Sequence, residues 1–338
     1  MKKETKCAVK VLVIVGPTAS GKSDLAVKLA KKLNGEIISA DSRQVYRGMD
    51  IGTGKITKKE MRGVRHHLLD VADPKKQFTA EQYRVLAKQA IVEIQERGKL
   101  PIICGGTGFY IDALLNESPF PAVQPNPDLR KKLLNKSPVQ LLAMLKKLDL
   151  KRWEKINGND SDKKNARRLI RAIEIARGSG QASKEVEGRK PAVSGHRQAE
   201  TNRRVALAMS LQDDYDAKFI GIKMPVDKLR TRIRARLLKR LKIGMIAEVR
   251  HLHEPRTASN ANGGLSWKRL DELGLEYRYV TRYLQGKFGP DPYGRQKMID
   301  KLTIEIGRYA KRQMTWWRRN KAIKWLDSAA CLKLAKSL

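Results

Sequence analysis

Apolar and polar positions along the chain change their spacing several times, and each change marks an element. "VLVIV" (Val11–Val15) is a continuous apolar run of strand length that ends in a glycine-rich stretch. In "SDLAVKLAKKLN" the residues Leu25, Ala26, Leu29, Ala30 and Leu33 fall at helical spacing, and Asn34-Gly35 closes the helix. "EIISA" (Glu36–Ala40) predicts a second short strand. A helix from about Ala80 to Glu96 follows, then the breaker Gly98 and a strand at "PIIC" (Pro101–Cys104). Strands alternating with helices predict an α/β fold on a parallel sheet, with ligands at the carboxyl ends of the strands. Ser23, Asp41 and Thr107 all lie just past strand ends, so three distant stretches are expected to converge on one crevice.

The texture changes at "NESPFPAVQPNPD" (116–128), where Pro119, Pro121, Pro125 and Pro127 interrupt any regular element. Helical, strongly basic sequence follows through "KKNARRLIRAIEIARG", and Gly178–Arg204 is polar and loop-like. "KFIGIKMP" (Lys218–Pro225) returns to strand character. The expected organisation is a discontinuous core, residues 8–118 and 215–330, interrupted by a mainly helical subdomain at 119–214. In "KLRTRIRARLLKRLK" (Lys228–Lys242), eight basic residues accompany an apolar stripe of Leu229, Ile233, Leu237 and Leu241. Arg232 and Arg236 stand one turn apart beside that stripe.

Composition adds a partner. Apolar residues make up 41%, as in ordinary globular proteins, but 71 Lys+Arg against 35 Asp+Glu leave a formal charge of +36. Such a field suits a polyanion better than a small metabolite, unless the source favours lysine throughout. Cys7, Cys104 and Cys331 lie far apart, with no zinc-ligand spacing and no disulfide framework, which fits a reduced, cytoplasmic compartment. The apolar run near the N-terminus is too short for a signal segment and flows into the glycine-rich loop, and no window approaches the ~18 apolar residues of a membrane span. A soluble protein without a membrane partner is expected.

"GPTASGKS" (Gly16, Pro17, Thr18, Ala19, Ser20, Gly21, Lys22, Ser23) fits G-x-x-x-x-G-K-[ST] between a strand and a helix. Its backbone N–H groups would cradle a phosphate, Lys22 would add a point charge and the Ser23 hydroxyl would ligate Mg²⁺. Asp41, in "ISADSRQVYRGMDIGTGK", either caps a loop by accepting backbone N–H groups or serves as a general base. Asp50, Gly52 and Gly54 predict another tight loop. In "GGTGFY" (Gly105–Tyr110), Thr107 either binds a phosphate or leaving-group oxygen or is a plain helix cap. His66, His67, His251 and His253 lack ligand-spaced neighbours and read as packing or surface residues. The rings and bases of "KRQMTWWRRNKAIKW" (Lys311–Trp325) suit stacking on RNA, or the tryptophans simply pack. These features leave three classes open: a transferase acting on RNA, a small-molecule kinase with Arg232 and Arg236 clamping a γ-phosphate, and an RNA-binding protein with a relic nucleotide site.

With "GPTASGKS", "ISADSRQVYRGMDIGTGK", "RHHLLDVADP", "GGTGFYIDALL" and "AKRQMTWWRR" in this order, the chain resembles the tRNA dimethylallyltransferases (tRNA isopentenyltransferases) from about Val11 to Asp327. The resemblance implies a P-loop NTPase-like core with an inserted helical tRNA-binding subdomain. It implies transfer of the dimethylallyl group of dimethylallyl diphosphate, with Mg²⁺, to N6 of the adenosine 3′ to the anticodon (position 37). A monomer binding the anticodon stem-loop is expected. By motif match, Asp41 is similar to the family's base, and Asp41, Ser42, Arg43 and Gln44 to its segment on the target nucleotide. Thr107 matches the family's Gly-Gly-Thr threonine, and Arg232 an arginine near the diphosphate. Arg167, Arg168, Leu169, Ile170 and Arg171 resemble a tRNA-contacting segment of the insertion. The chain departs from the pattern at Glu276, where glycine is usual, and in the length of the 178–216 loop. No zinc finger of the kind some eukaryotic members carry is present, which points to the bacterial type.

Overall fold

A computed structural model of the chain describes residues 8–115, 123, 125–182, 215–257 and 260–334. The chain divides into two compact units, Met1–Glu117 with Glu200–Leu338, and Ser118–Ala199.

Among the described residues the first unit is built on six parallel strands: β1 (Val9–Val15), β2 (Gly35–Ala40), β3 (His66–His67), β4 (Leu100–Gly105), β5 (Tyr215–Ile222) and β6 (Lys324–Leu326). They lie in the order β3-β2-β4-β1-β5-β6. β1 pairs with β4 through Leu12–Ile102 and with β5 along its whole length, so both its edges are bonded. A strand covered on both faces reads as an unbroken apolar run, and Val11–Val15 are all buried. α1 (Lys22–Lys32) lays Leu25, Ala26, Leu29 and Ala30 on Ile37, Ile102 and Ile220 of the sheet. Leu29 is 0% exposed, and truncating it to alanine would cost about 2–5 kcal/mol. Gly35 is forced by this packing, because a Cβ there would lie 2.8 Å from the Leu100 carbonyl oxygen.

Around the sheet lie α2 (Lys58–Met61), α3 (Ala80–Glu96) and α4 (Gly108–Leu115). α3 starts where predicted because Thr79 and Gln82 cap each other's backbone N–H groups. It buries Tyr83, which stacks on Tyr110 with ring centroids 4.3 Å apart.

The second unit carries α5 (Pro127–Leu133), α6 (Pro138–Leu148), α7 (Leu150–Asn157), α8 (Asp160–Lys163) and α9 (Ala166–Ala182). Its core joins Leu133, Leu141, Leu145, Leu169, Ile170 and Ile173. Glu174 is buried beside this core, and its carboxylate accepts from Arg130, Arg171 and the Asn126 N–H. The predicted loop at 178–216 is trimmed at both ends: Gly178 to Ala182 continue α9, and Tyr215 and Asp216 open β5. The rest of that loop lies outside the described residues.

In the first unit the chain continues through α10 (Val226–Lys242), α11 (Met245–His253), α12 (Trp267–Leu273), α13 (Leu275–Leu284), α14 (Tyr293–Trp317) and α15 (Ser328–Leu334). Ile233, Leu237 and Leu241 of the predicted α10 stripe are buried, while Leu229, in the first turn, stays half-exposed.

Candidate active site

The phosphate-binding motif folds as its spacing demands. Gly16 and Gly21 take positive φ values of 145° and 96°, and Ala19 joins them at 63°. Gly21 caps α1 without a side-chain hydrogen bond, leaving the first-turn amides for an anion. Lys22 Nζ donates to the Pro17 carbonyl at 2.7 Å. Its pKa falls to about 8, chiefly because burial strips water from the ammonium; Cys104 opposes the shift and Arg236 adds to it. Ser23 lines the cleft in the first turn of α1. The Ser20 side chain is fully buried, and its hydroxyl has no partner among the described residues.

At the end of β2, Asp41 takes the loop-capping role weighed for it. Its Oδ1 accepts from the Arg43 N–H at 2.9 Å and the Gln44 N–H at 3.4 Å, which folds Ser42–Gln44 back over the strand end. Oδ2 takes no hydrogen bond among the described residues, and Asp41 lines the cleft. Thr107 is more than a helix cap. Its Oγ1 accepts the Ser42 N–H at 3.0 Å and its own N–H donates to the Ala40 carbonyl at 3.1 Å, so the end of β2 and the loop after β4 are stitched together. Gly105 permits this approach, since a Cβ there would sit 2.1 Å from the Ala40 carbonyl oxygen.

α10 closes the cleft with Arg232, Arg236 and Arg240, at i, i+4 and i+8. Arg232 lies 3.7 Å from where a Gly21 Cβ would project, beside the phosphate loop. Desolvation lowers the Arg236 pKa to about 10, with Arg240 and Arg232 contributing repulsion. Arg240 instead pairs with Glu276 at 2.8 Å and donates to the Gly52 carbonyl at 3.1 Å. The predicted tight loop at Asp50–Gly54 hangs on Glu248, whose carboxylate accepts the N–H groups of Asp50, Ile51 and Gly52 and the Tyr277 hydroxyl.

The resulting cleft has a volume of about 320 Å³. Its polar end holds Lys22, Ser23, Asp41, Arg232 and Arg236, and Ala26, Ile37, Ile56 and Leu69 supply apolar wall. His66, expected to be a packing or surface residue, lines the cleft as well, with burial lowering its pKa. His67 is hydrogen-bonded through Nε2 to the buried Glu36 carboxylate at 2.7 Å. No cluster of three His, Cys, Asp or Glu side chains suited to a metal occurs among the described residues. The Ser23 hydroxyl, at the start of α1 and lining the cleft, fits a Mg²⁺ ion that takes its other ligands from phosphate oxygens.

Other expectations need narrowing. Leu169 and Ile170 are 0% and 7% exposed in the core of the helical unit, because α9 needs an apolar face, so they do not offer their side chains to a ligand. Arg171 is held by Glu174 and the Val123 carbonyl, whereas Arg167 and Arg168 are exposed, the latter paired with Asp162. The tryptophans after Lys311 pack: Trp317 is 1% exposed, and Trp316 lies on Gly108 and donates to Asp112 at 3.0 Å. Trp317 is thus a core residue, while Trp316 stays partly exposed with the Arg319 guanidinium over its ring. Gln313, between them and Tyr309, was not singled out as a site residue. It donates to Gly106 and accepts from Thr18. Its only signal in the sequence is an amide at a core position of the stripe Leu302, Ile306, Ala310, Trp317.

A family described as IPP transferase matches residues 44–320. The tRNA dimethylallyltransferase 2 of Trichlorobacter lovleyi is 40% identical over 333 residues, covering 97% of this chain and 95% of that protein. A second tRNA dimethylallyltransferase 2, from Treponema denticola, is 40% identical over 308 residues and 91% of each chain. Among solved structures, the tRNA isopentenylpyrophosphate transferase of Bacillus halodurans superposes with a TM-score of 0.61 at 31% identity, over 97% of this chain and 98% of that one. A eukaryotic dimethylallyltransferase shares the fold, with a TM-score of 0.70 at 24% identity over 94% of this chain and 74% of that one. With a P-loop NTPase-like core and these relatives across nearly its whole length, the chain belongs to the IPP transferase family.

Proposed function

We propose that this protein transfers the dimethylallyl group of dimethylallyl diphosphate to N6 of the adenosine 3′ to the tRNA anticodon, position 37. The observation that carries the reading is the meeting of Asp41 and the phosphate loop in one cleft. An adenine amino group is a weak nucleophile, since its lone pair is delocalised into the ring. The carboxylate of Asp41, anchored through Oδ1, would accept the N6 proton through Oδ2 as the new C–N bond forms. The bond broken is the one between the allylic carbon and the diphosphate oxygen. The loop amides, Lys22, Arg232 and Arg236 stabilise the charge that develops on the departing diphosphate. Mg²⁺, held through Ser23 and the diphosphate oxygens, would supply further charge neutralisation there.

Arg43 and Gln44, next to Asp41, would contact the target nucleotide, and Gln44 also donates to the Gly54 carbonyl. The target base must leave its stack, at a cost of a few kcal/mol that an already single-stranded anticodon loop keeps low. The net charge of +36 and the exposed Arg167 and Arg168 of the helical unit support a polyanionic substrate of this kind. We take the enzyme to act as a monomer in the cytoplasm. No described helix is long and apolar enough to cross a membrane.

Incubation with unmodified tRNA, Mg²⁺ and dimethylallyl diphosphate, followed by digestion and mass spectrometry of the nucleosides, tests the reaction. N6-dimethylallyladenosine is the expected product. Turnover of ATP in a parallel tube, with tRNA bound and unmodified, would replace this reading with a kinase.

A further inference from the structure

The proposed transfer needs the diphosphate and the base at a fixed separation, yet they ride on different segments. The phosphate loop follows β1 and Asp41 follows β2. One buried side chain spans the gap. Gln313, 6% exposed in α14, accepts the Thr18 N–H at 2.8 Å and donates Nε2 to the Gly106 carbonyl at 2.9 Å. An N–H only donates and a carbonyl only accepts, so the amide has a single satisfactory orientation. From Gly106 the connection runs on through the next residue, because Thr107 Oγ1 takes the Ser42 N–H at 3.0 Å and Ser42 follows Asp41.

The contact is close enough to dictate the sequence on the other side. A Cβ on Gly106 would lie 2.0 Å from Gln313 Nε2, and one on Gly108 2.2 Å from Trp316. Successive turns of α14 thus press on the same segment: Tyr309 on Thr107, Gln313 on Gly106 and Trp316 on Gly108. Mere packing does not explain an amide here. The other members of the buried stripe, Leu302, Ile306, Ala310 and Trp317, are apolar, and a buried amide stabilises nothing unless both its ends are satisfied. Gln313 also keeps the Thr18 N–H out of the set offered to an anion.

We propose that Gln313 is a positioning residue that sets the separation between the phosphate loop and the Thr107–Asp41 segment. The proposal rests on the transfer reaction given above. Gln313→Met keeps the length and the apolar packing but removes both hydrogen bonds. Its single-turnover rate is expected to fall about 10- to 100-fold, as for small misplacements of reacting groups. Affinity for dimethylallyl diphosphate, read by calorimetry, is expected to change far less. Gln313→Glu still accepts from Thr18 but repels the Gly106 carbonyl until it is protonated, so its rate should recover as pH falls relative to Gln313→Met.

Wild-type rates in both variants would overturn the proposal. So would equal loss of rate and donor affinity without recovery at low pH. Hydrogen exchange separates this proposal from the reaction itself. In Gln313→Met, amides of residues 16–23 and 105–110 should speed up together. If the wild-type chain yields no prenylated nucleoside, the reaction fails and exchange alone decides: both segments loosening supports the link, and one or neither overturns it. If Gln313→Met does not fold, the pH profile of Gln313→Glu against the wild type carries the test: recovery toward the wild-type rate at low pH supports the link, and a constant ratio overturns it.

Discussion

The Arg240 guanidinium donates to the Glu276 carboxylate at 2.8 Å, and each side chain is 13% exposed. Arg240 also donates to the carbonyls of Gly52 and Thr53, so the pair braces the loop over the cleft. The charge of Glu276 is taken up by Arg240 within the same unit. Glu276→Gln leaves a partly buried guanidinium without its counter-charge and should destabilise the chain by about 2 kcal/mol. Adding Arg240→Met should restore most of the loss. Denaturant titration of both variants checks this, and an unrecovered double variant would contradict it.

Lys22, with a pKa of about 8, is partly neutral above that pH in the empty site. A diphosphate beside it favours the ammonium, so binding of inorganic diphosphate at pH 8.5 should take up a proton. Calorimetry in buffers of different ionisation enthalpy reads this uptake, and Lys22→Met should abolish it. Folding follows the same linkage. The unfolded lysine binds more protons between pH 8 and 10.5, so this group's contribution to stability rises with pH across that window.

Asp41→Asn separates the two duties of the carboxylate. Asparagine keeps an acceptor for the Arg43 and Gln44 N–H groups but cannot take the N6 proton. The rate should fall about 10²–10⁴-fold with tRNA binding intact. Loss of binding with normal transfer in the bound fraction would refute the role. Asp41→Ala should lose the turn as well as the base.

Glu36 is 2% exposed. Burial alone would raise its pKa, but hydrogen bonds from Arg97, His67 and Lys99 outweigh it and hold the value near 2. A depressed carboxylate stabilises the fold fully above its ordinary value of 4.5 and loses that contribution as pH falls toward 2. Glu36→Gln should therefore cost about 3 kcal/mol at pH 7. The gap between the variant and the wild type should close across that acid range, as read by urea midpoints.

What the sequence made legible was local. The strand, the glycine-rich loop and α1 sit within Val9–Lys32, so one motif and one helical stripe disclose them together. Asp41 was legible as a cleft residue because it follows a strand end. Gln313 escaped because its partners lie 295 and 207 residues away, and an amide carries no signature of its own. Glu248 escaped likewise: in "GMIAEV" nothing reveals that it binds a loop 196 to 198 residues earlier. The aromatic and basic alternation around Trp316 could not tell a core tryptophan from a surface one, because composition ignores helical phase. At 3.6 residues per turn, Gln313 and Trp317 face the core while Lys311 and Arg312 face solvent.

The outermost strands of the sheet are unusually short, β3 with two residues and β6 with three. Between them lie four strands of six to eight residues, rich in isoleucine and valine, which as exposed margins would invite pairing with a neighbouring molecule. Trimmed margins give an incoming chain almost no template to copy. Among the described residues, an apolar sheet of this length thus ends in margins of two and three residues, a device that works against copying from molecule to molecule.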